Sequence, residues 1–425
     1  MINLLLKNTF FLMLLLLISC GNSVGSDNAF AKAQQSKVEV TDSVEKSPQY
    51  ADTEITVGAN RLDAYLPLLS NKKVGVVTNQ SGLIFKSYPH TKEKATHIVD
   101  SLLKRDVNIV KVYSPEHGFR GDADAGEKIK DSKDPRTGLP IISLHGKNRK
   151  PTQEQLNGLD IIVFDIQDVG VRFYTYISTL TYVMEAAAEK GIPLIVLDRP
   201  NPNAHYIDGP TMEKEHTSFL GMHEIPIVYG MTIGEYARMV NGEGWLKDNM
   251  QCELTVITLE NWNYKSKYSL PTRPSPNLPN DTSINLYPSL GFFEGTTINA
   301  GRGTEMQFQV FGSPHLPGQY YPFTYTPQPN FGSKDPKEKG KLCNGLDLRN
   351  EPYLERVNLE WLVEAYTATD DKENFFKTAG FTLHAGTTVL EKQIKQGYTF
   401  REIRKEWLKD ITAFKKTRAK YLLYE

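Results

Sequence analysis

The chain has 425 residues, of which 40% are hydrophobic and 23% charged, and 49 basic against 50 acidic side chains give a formal net charge of −1. This composition excludes global disorder and supplies enough apolar residues for a sizeable core in two or three domains. The balanced charge argues against extensive nucleic-acid binding, which is typical of chains with a basic excess. We therefore expect no nucleic acid among the partners of this protein.

The N-terminal segment has the pattern of an export signal. Lys7 precedes an apolar run, residues 10–19, that is too short to span a membrane and has the length of a signal-peptide core. The run ends in LISC, with Leu17 and Ser19 before Cys20, and this pattern resembles the bacterial lipobox. A plain secretory signal that happens to contain a cysteine is the alternative.

These residues predict a lipoprotein of the cell envelope. We expect residues 1–20 to be a lipoprotein signal peptide and Cys20 to carry the lipid that anchors the protein to a membrane, in the periplasm or at the cell surface. Residues 21–52 are polar and lack apolar periodicity, which predicts a flexible tether.

From residue 53 onward, short apolar runs alternate with helical patterns. Their lack of polar alternation indicates strands buried on both faces, as in a parallel sheet. The runs are residues 73–79, 107–114, 139–146, 160–168, 192–200 and 252–262. Helices are predicted at 92–105, at 176–191 with Gly191 as its stop, and at 231–246 with Thr232 as its N-cap. The alternation predicts a doubly wound α/β domain at residues 53–270.

The remaining residues, 271–425, predict a smaller mixed α+β domain. Residues 269–291 are rich in proline, asparagine and serine and show no regular element, so they form either a crossing between domains or an ordered active-site loop. Strand-like pieces follow at 305–312 and 379–386. In the last helical pattern an apolar stripe is expected to pack into the core. The stripe consists of Ile403, Trp407, Leu408, Ile411 and Phe414.

Several site types lack their motifs. The mature chain keeps only Cys252 and Cys343, which form no disulfide framework, and neither CxxC nor HExxH occurs, so we expect no metal. Without a GxGxxG turn or a Walker lysine loop, we expect no nucleotide cofactor, and indeed no cofactor at all. The absence of a GxSxG elbow disfavours a serine esterase.

Polar residues gather where the predicted strands end. In open α/β sheets, ligands bind outside the carboxyl ends of the strands. Three clusters follow that rule, at residues 114–118, 165–176 and 198–203, and a fourth, glycine-rich cluster lies at 292–305. If the strands share one sheet, the first three clusters share one edge. The fourth, taken alone, is equally explained as a turn-rich β connection.

The residue types in these clusters fit the binding and cleavage of a glycoside, which commonly needs one protonated carboxyl group and a second group as base or nucleophile. Glu116 is the candidate acid; its alternative is a structural carboxylate that pairs with Arg120. His117 either orients Glu116 or bonds to backbone. Asp165 and Asp168 are candidates for the second carboxylate, and Asp168, further from the strand, is preferred.

Arginines in the same clusters could bind an anionic substituent through paired hydrogen bonds, although each could equally form a structural ion pair. The candidates are Arg172, Arg199 and Arg302. Further substrate-binding candidates are Tyr174, Tyr176, Asp165, Asn201, Asn203, Glu294 and Asn299. Asp122, Asp124 and Glu127 are assigned to a solvated loop or a gate over the site.

Five ordered motifs resemble the exo-β-N-acetylmuramidases of the NamZ type, a family long catalogued as a bacterial domain of unknown function. They are SPEHGFRG, FDIQDVGVRFYTY, LDRPNPN, DGP and FFEGTTINAGRGTE. The resemblance implies a Rossmann-like N-terminal domain, a smaller C-terminal domain that completes a cleft, and Glu116 of the EHG motif as the catalytic glutamate. It implies an exo-acting glycoside hydrolase that releases N-acetylmuramic acid from the non-reducing end of peptidoglycan fragments.

A second hypothesis comes from a different class of protein. The same polar edge would serve a non-catalytic envelope lipoprotein that binds muropeptides or glycans. The position of Glu116, at a strand end in a glycine-spaced loop, favours catalysis.

Overall fold

The computed structural model describes residues 54–121 and 131–425. The expected signal peptide, the lipidated Cys20, the tether, and the carboxylates Asp122, Asp124 and Glu127 lie outside the described residues. All described residues belong to one packed unit, Thr53–Glu425. The expected domain boundary near residue 270 stays a prediction.

A seven-stranded sheet organises the N-terminal two thirds, because the apolar runs of the sequence pair with one another in parallel. The order is β5-β6-β4-β1-β7-β8-β9, and only the edge strand β5 runs antiparallel to its neighbour. Its strands are β1 (Val74–Thr78), β4 (Ile109–Ser114), β5 (Ser132–Lys133), β6 (Pro140–Ser143), β7 (Ile161–Asp165), β8 (Leu194–Leu197) and β9 (Leu254–Ile257). All six predicted strands are confirmed.

Successive residues of the central strands pack into different hydrophobic clusters, so the sheet is buried on both faces. Ile162 and Phe164 belong to one cluster, whereas Val163 between them belongs to the other. This arrangement requires apolar side chains on both faces of a strand, which is why the runs lack polar alternation.

Helices cover the two faces of the sheet and build the C-terminal part. They are α1 (Leu62–Leu69), α2 (Ile98–Leu103), α3 (Tyr176–Lys190), α4 (Ile233–Gly242), α5 (Asp281–Leu290), α6 (Glu360–Ala368), α7 (Thr378–Ala385), α8 (Val389–Lys395) and α9 (Phe400–Arg418). Gly191 ends α3 in the left-handed conformation, with φ 68°, as expected. Thr232 caps α4 through a capping box with Glu235.

The C-terminal part contains a three-stranded antiparallel sheet in the order β10-β12-β11. Its strands are β10 (Val310–Ser313), β11 (Phe323–Tyr325) and β12 (Cys343–Asp347). The predicted fold class, a doubly wound α/β sheet with a smaller mixed α+β part, is therefore confirmed. The α9 stripe is buried as expected, except for Leu408, which is 47% exposed.

Three local predictions are wrong. The helix expected at 92–105 begins only at Ile98, because residues 95–97 (β3) pair antiparallel with Leu83–Phe85 (β2). The strand-like piece 379–386 is the helix α7, which buries Phe381 and Ala385. Residues 269–291 contain the helix α5, which begins at the capping box formed by Asn280 and Ser283.

Two further properties concern the described residues alone. Cys252 and Cys343 are both buried free thiols. Within residues 54–121 and 131–425, no helix combines the length and apolarity that crossing a bilayer requires.

Candidate active site

The carboxyl ends of β4, β7 and β8 lie at the same edge of the sheet, because the three strands are parallel and separated only by β1. Beyond them lies a cavity of about 180 Å³, to which both the N-terminal and the C-terminal parts contribute. Six candidates from the sequence line this cavity: Glu116, His117, Tyr174, Tyr176, Glu294 and Arg302.

Glu116 reaches the cavity from a tight turn at the end of β4. The N–H of Gly118 donates to the carbonyl of Pro115 at 3.2 Å, and both His117 and Gly118 have positive φ, 72° and 78°. A left-handed conformation is uncommon for a residue with a Cβ, so the turn is held by its surroundings. His117 is 4% exposed, whereas Glu116 is half-buried and accepts a bond from Thr175 Oγ1 at 3.4 Å.

Three tyrosines, Tyr174, Tyr176 and Tyr287, line the cavity. Asn79 Nδ2 donates to the hydroxyl of Tyr176 at 2.8 Å, and the rings of Tyr174 and Tyr176 lie 4.8 Å apart. Burial raises the pKa of Tyr287, and the charges of Glu294 and Glu116 raise it further. Tyr287 therefore lies within electrostatic reach of both carboxylates and keeps its hydroxyl proton throughout the physiological range.

Glu294 is the second carboxylate of the cavity, and Arg302 lies beside it. Arg302 Nη1 is 2.9 Å from Glu294 Oε2, and each side chain keeps about a quarter or less of its surface exposed, 25% and 22%. Burial on its own would raise the pKa of Glu294, but the cations Arg302 and Lys337 together lower it. Glu294 is thus held ionised at neutral pH.

Asn299 fixes the loop that carries Arg302. Its Nδ2 donates to the carbonyls of Arg302 and Lys337 at 3.0 and 2.8 Å, and its Oδ1 accepts from the N–H of Gly301 at 2.7 Å. Asn299 lines a neighbouring cavity of about 200 Å³, which shares Glu294 and Arg302 with the first. Its observed contacts orient the loop.

Arg172 does not line the cavity of Glu116. It is fully buried, and its Nη1 and Nη2 donate to four backbone carbonyls, those of Pro210, Ile225, His384 and Ala385, at 2.8–2.9 Å. Burial without a carboxylate partner lowers its pKa to about 9. These contacts favour a structural role over contact with the substrate.

Arg199 and Asp165 also lie away from the cavity and pair with each other. Arg199 Nε and Nη2 donate to the two oxygens of Asp165 at 2.6 and 2.9 Å, and Nη2 also donates to the carbonyl of Leu83 at 2.9 Å. Both side chains are almost wholly buried. The pair thus links the end of β7 to the residues after β8, and the bond to Leu83 links both to β2.

Asp168 is 3% exposed, does not line the cavity, and lies within electrostatic reach of Tyr174 and Tyr176. Its Oδ2 accepts from the hydroxyl of Tyr229 and, at 2.6 Å, from the N–H of Gly170. Burial raises its pKa from the ordinary value of 3.8 to about 7. Its use as a second catalytic carboxylate stays a prediction that this position does not favour.

Asn201 and Asn203 hold loops together in the interior. Asn201 Nδ2 donates to the carbonyl of Met231 at 2.8 Å, and its Oδ1 accepts from the N–H of Asn203 at the same distance. Asn203 Nδ2 donates to the carbonyls of Val169 and Ile284. Contact of either residue with a substrate stays a prediction.

Arg120, the residue with which Glu116 would pair in a structural role, forms ion pairs with two aspartates. Arg120 Nη2 lies 2.7 Å from Asp134 and 3.1 Å from Asp100. Asp134, 1% exposed, is the main partner, and this bond lowers the pKa of Asp134 to about 2. Arg120 thus joins the turn after β4 to α2 and to the residues that follow β5.

Sequence reasoning missed several lining residues: Phe173, Thr175, Leu220, Ser275, Asn277, Leu278, Tyr287, Phe308 and His384. Ser275, Asn277 and Tyr287 lie in the proline-rich segment, residues 269–291. Their positions favour the interpretation of that segment as part of the active site over that of a crossing between domains. His384 lies in the segment that was interpreted as a strand, and a lone histidine there carries no motif.

A larger cavity, of about 600 Å³, lies near Trp245 and Trp407 and contains none of the predicted site residues. We place the active site at Glu116 because the chemistry-bearing residues converge there. Among residues 54–121 and 131–425, no three histidine, cysteine or acidic side chains are grouped in a way that could hold a metal ion.

Comparison with known proteins agrees with this architecture. The model of the N-terminal region of the exo-β-N-acetylmuramidase NamZ family matches residues 74–282, and the model of its C-terminal region matches residues 285–424. The chain is 38% identical over 388 residues to the peptidoglycan β-N-acetylmuramidase NamZ of Bacillus subtilis strain 168, covering 85% of this chain and 89% of that protein.

Two crystal structures of DUF1343 family proteins from Bacteroides fragilis NCTC 9343 are similar to most of this chain. One is 40% identical with a TM-score of 0.80, covering 88% of this chain and 99% of that one. The other is 31% identical with a TM-score of 0.74, covering 87% and 99%. Since the two family models together, and the B. subtilis relative by itself, cover most of the chain, the chain belongs to the exo-β-N-acetylmuramidase NamZ family.

Proposed function

We propose that this protein is an exo-acting glycosidase that releases N-acetylmuramic acid from the non-reducing end of peptidoglycan fragments during cell-wall turnover. The observation that carries the proposal is the shared cavity of Glu116, Glu294 and Arg302. The B. subtilis relative is a peptidoglycan β-N-acetylmuramidase, which supports the same activity for this chain. A cavity of about 180 Å³ suits one terminal sugar better than the middle of a long strand.

Glu116 is placed to act as the general acid. It comes from the turn that ends a central strand, so its backbone is fixed by the sheet rather than by a free loop. A protonated carboxyl group there would donate to the glycosidic oxygen as the bond to the leaving sugar breaks. Thr175 and Tyr176, at the start of α3, hold the segment in place from the opposite side.

Glu294 supplies the second carboxylate. Because Arg302 and Lys337 outweigh its burial, it stays ionised and can stabilise positive charge that develops at the sugar ring. The 2-acetamido group of the substrate is a further source of assistance, since some glycosidases use it in place of an enzymatic nucleophile. Whether Glu294 or the 2-acetamido group stabilises the positive charge, Glu116 is the group that protonates the glycosidic oxygen in this proposal.

Arg302 is the arginine positioned to bind the lactyl carboxylate of N-acetylmuramic acid. Of the three arginines that the sequence offered, it alone lines the cavity. Its guanidinium has five N–H donors, of which the bond to Glu294 uses one, so donors remain for a substrate carboxylate. The lactyl group distinguishes muramic acid from N-acetylglucosamine, which makes this contact a source of specificity.

A time course on a defined ladder of alternating N-acetylglucosamine and N-acetylmuramic acid tests the proposal. Mass detection of the products should show free N-acetylmuramic acid from the first time point and chains shortened from the non-reducing end. Internal fragments at early times would indicate an endo-acting enzyme. Binding of the ladder without any product, across pH, would support a non-catalytic glycan-binding lipoprotein.

We also propose that the protein is a membrane-anchored lipoprotein of the cell envelope. The support is the sequence alone: a short apolar run that ends in LISC, followed by a polar segment at 21–52. Growth with an alkyne fatty acid should label the wild type, and Cys20→Ala should abolish the label and release the protein from the membrane fraction. An unchanged membrane association of Cys20→Ala, without label in the wild type, would contradict the lipid anchor.

A further inference from the structure

His384 lines the cavity of Glu116 from the last turn of α7. Its Nδ1 lies 2.9 Å from the carbonyl oxygen of Gly380, one turn earlier in the same helix. A carbonyl oxygen can only accept, so Nδ1 carries the proton of this bond. In the neutral ring, the lone pair is therefore on Nε2.

The surroundings keep this ring neutral. Burial lowers the pKa of His384; Lys337 and Arg172 act in the same direction, and Glu294 and the bond to Gly380 act against it without outweighing it. The imidazole consequently has one fixed donor, Nδ1–H, which bonds to Gly380, and one fixed acceptor, Nε2.

The acceptor is not used by the protein. Among residues 54–121 and 131–425, the only hydrogen bond made by the side chain of His384 is the one from Nδ1. The ring packs 5.4 Å from that of Phe173, another lining residue, and Glu294 is close enough to influence its protonation. Nε2 is thus the atom through which the histidine can bond to an occupant of the cavity.

Arg172 fixes the position of this histidine. Its Nη2 donates to the carbonyls of His384 and Ala385, both at 2.8 Å, while Nη1 holds Pro210 and Ile225. A Cβ on Gly386, where φ is 78°, would lie 2.7 Å from Nη2, so glycine allows this close approach at the end of α7. The C-terminal end of α7 is therefore held by the buried guanidinium of Arg172, and these four hydrogen bonds all go to backbone carbonyls rather than to a carboxylate.

We propose that His384 Nε2 accepts a hydrogen bond from a donor group of the bound saccharide, and that Arg172 is the positioning residue that holds His384 for this contact. The proposal rests on the proposed glycosidase function. The donor is an N–H or O–H of the terminal sugar, either the acetamido N–H or a ring hydroxyl. This contact selects a sugar that presents a donor at that place and disfavours one that presents only acceptors.

Two variants of His384 test the contact. His384→Phe keeps the ring that packs on Phe173 but removes the acceptor, and it should lower kcat/KM on N-acetylmuramyl-N-acetylglucosamine by about tenfold or more. His384→Gln places an amide near the position of Nε2 and should retain activity within about threefold of the wild type. Leu383→Ala, an exposed neighbour in the same helix, serves as the control and should match the wild type.

An analogue identifies the donor. Replacing the acetamido group by an O-acetyl ester removes its N–H and keeps its carbonyl. If the penalty of His384→Phe disappears with this analogue, the donor is the acetamido N–H; if it persists, the donor is a hydroxyl. An unchanged kcat/KM for His384→Phe on the natural disaccharide would overturn the proposal.

The role of Arg172 is tested by combining variants. Arg172→Lys cannot reach all four carbonyls, and it should raise KM in the wild type but cause no further loss in the His384→Phe background. Equal losses in both backgrounds would show that Arg172 acts only through general stability. A wild type without turnover would refute the glycosidase function. The contact would then be tested by calorimetry: weaker binding of the disaccharide to His384→Phe than to the wild type would support it, and equal affinities would overturn it.

Discussion

Arg302 Nη1 lies 2.9 Å from Glu294 Oε2, and this ion pair joins a cation to an ionised carboxylate in the wall facing Glu116. The pairing has two consequences. It keeps Glu294 negative although burial opposes that charge, and it presents guanidinium donors to an anionic substrate.

Arg302→Gln should reduce kcat/KM on an N-acetylmuramic acid glycoside by about 100-fold, since a bond between two charged groups is lost. The matching N-acetylglucosamine glycoside has no lactyl carboxylate, so its slower turnover, measured at a pH where Glu294 is ionised in both enzymes, should change by less than about threefold. Arg349→Gln, which removes an exposed arginine paired with Asp347, is the control. Equal losses on both sugars would show that Arg302 does not read the lactyl group.

The same variant should move the acidic limb of the pH–rate profile to higher pH. Without Arg302, burial raises the pKa of Glu294 against the weaker effect of Lys337, so the carboxylate is protonated at a pH where it is ionised in the wild type. Activity that requires the ionised form then falls sooner on acidification. A limb that stays at its wild-type pH would exclude Glu294 as its origin.

Glu116→Gln should lower kcat on the natural disaccharide by about 10²–10⁴-fold, the usual contribution of a general acid. With a dinitrophenyl glycoside, whose leaving group needs no proton, the loss should be much smaller. Glu305→Gln, an exposed glutamate of the glycine-rich cluster, should leave both rates unchanged. The same loss on both substrates would argue that Glu116 does not protonate the leaving group.

Asp168 should make the fold less stable as pH rises from 4 to 7. Burial raises its folded pKa from 3.8 to about 7, a shift equivalent to about 4 kcal/mol. Below the unfolded pKa both states are protonated and no penalty exists. Between the unfolded and the folded pKa the unfolded state releases its proton first, so the stability of the fold decreases until the buried carboxyl ionises as well. Asp168→Asn should remove most of this slope in urea unfolding, and an unaltered slope would assign it to other groups, such as Asp198.

Arg199→Met should destabilise the protein by about 3–5 kcal/mol, because it leaves Asp165 buried without its cation. Replacing both partners, in Asp165→Leu with Arg199→Met, removes the stranded charge and should recover a large part of that loss. Urea denaturation of the single and double variants measures the difference. A double variant no more stable than Arg199→Met would contradict this reading of the pair.

The sequence predicted the parallel sheet well because its strands are buried on both faces, which leaves uninterrupted apolar runs such as residues 160–165. It also predicted that Glu116 lies at a strand end. It could not separate Arg302 from Arg199, because either arginine could bind an anion or form a structural ion pair, and only the fold shows that Arg199 is paired inside. His384 was missed because the cavity brings it to Glu116 from a distant helix, a relationship that no local spacing encodes.

The first family segment ends at residue 282 and the second begins at residue 285, so their junction falls inside a single helix, α5. Glu116 and Tyr176 come from the first segment, and Tyr287, Glu294 and Arg302 from the second. Neither segment encloses the substrate alone. A gene that lost either half would thus encode one wall of the cavity rather than a reduced enzyme.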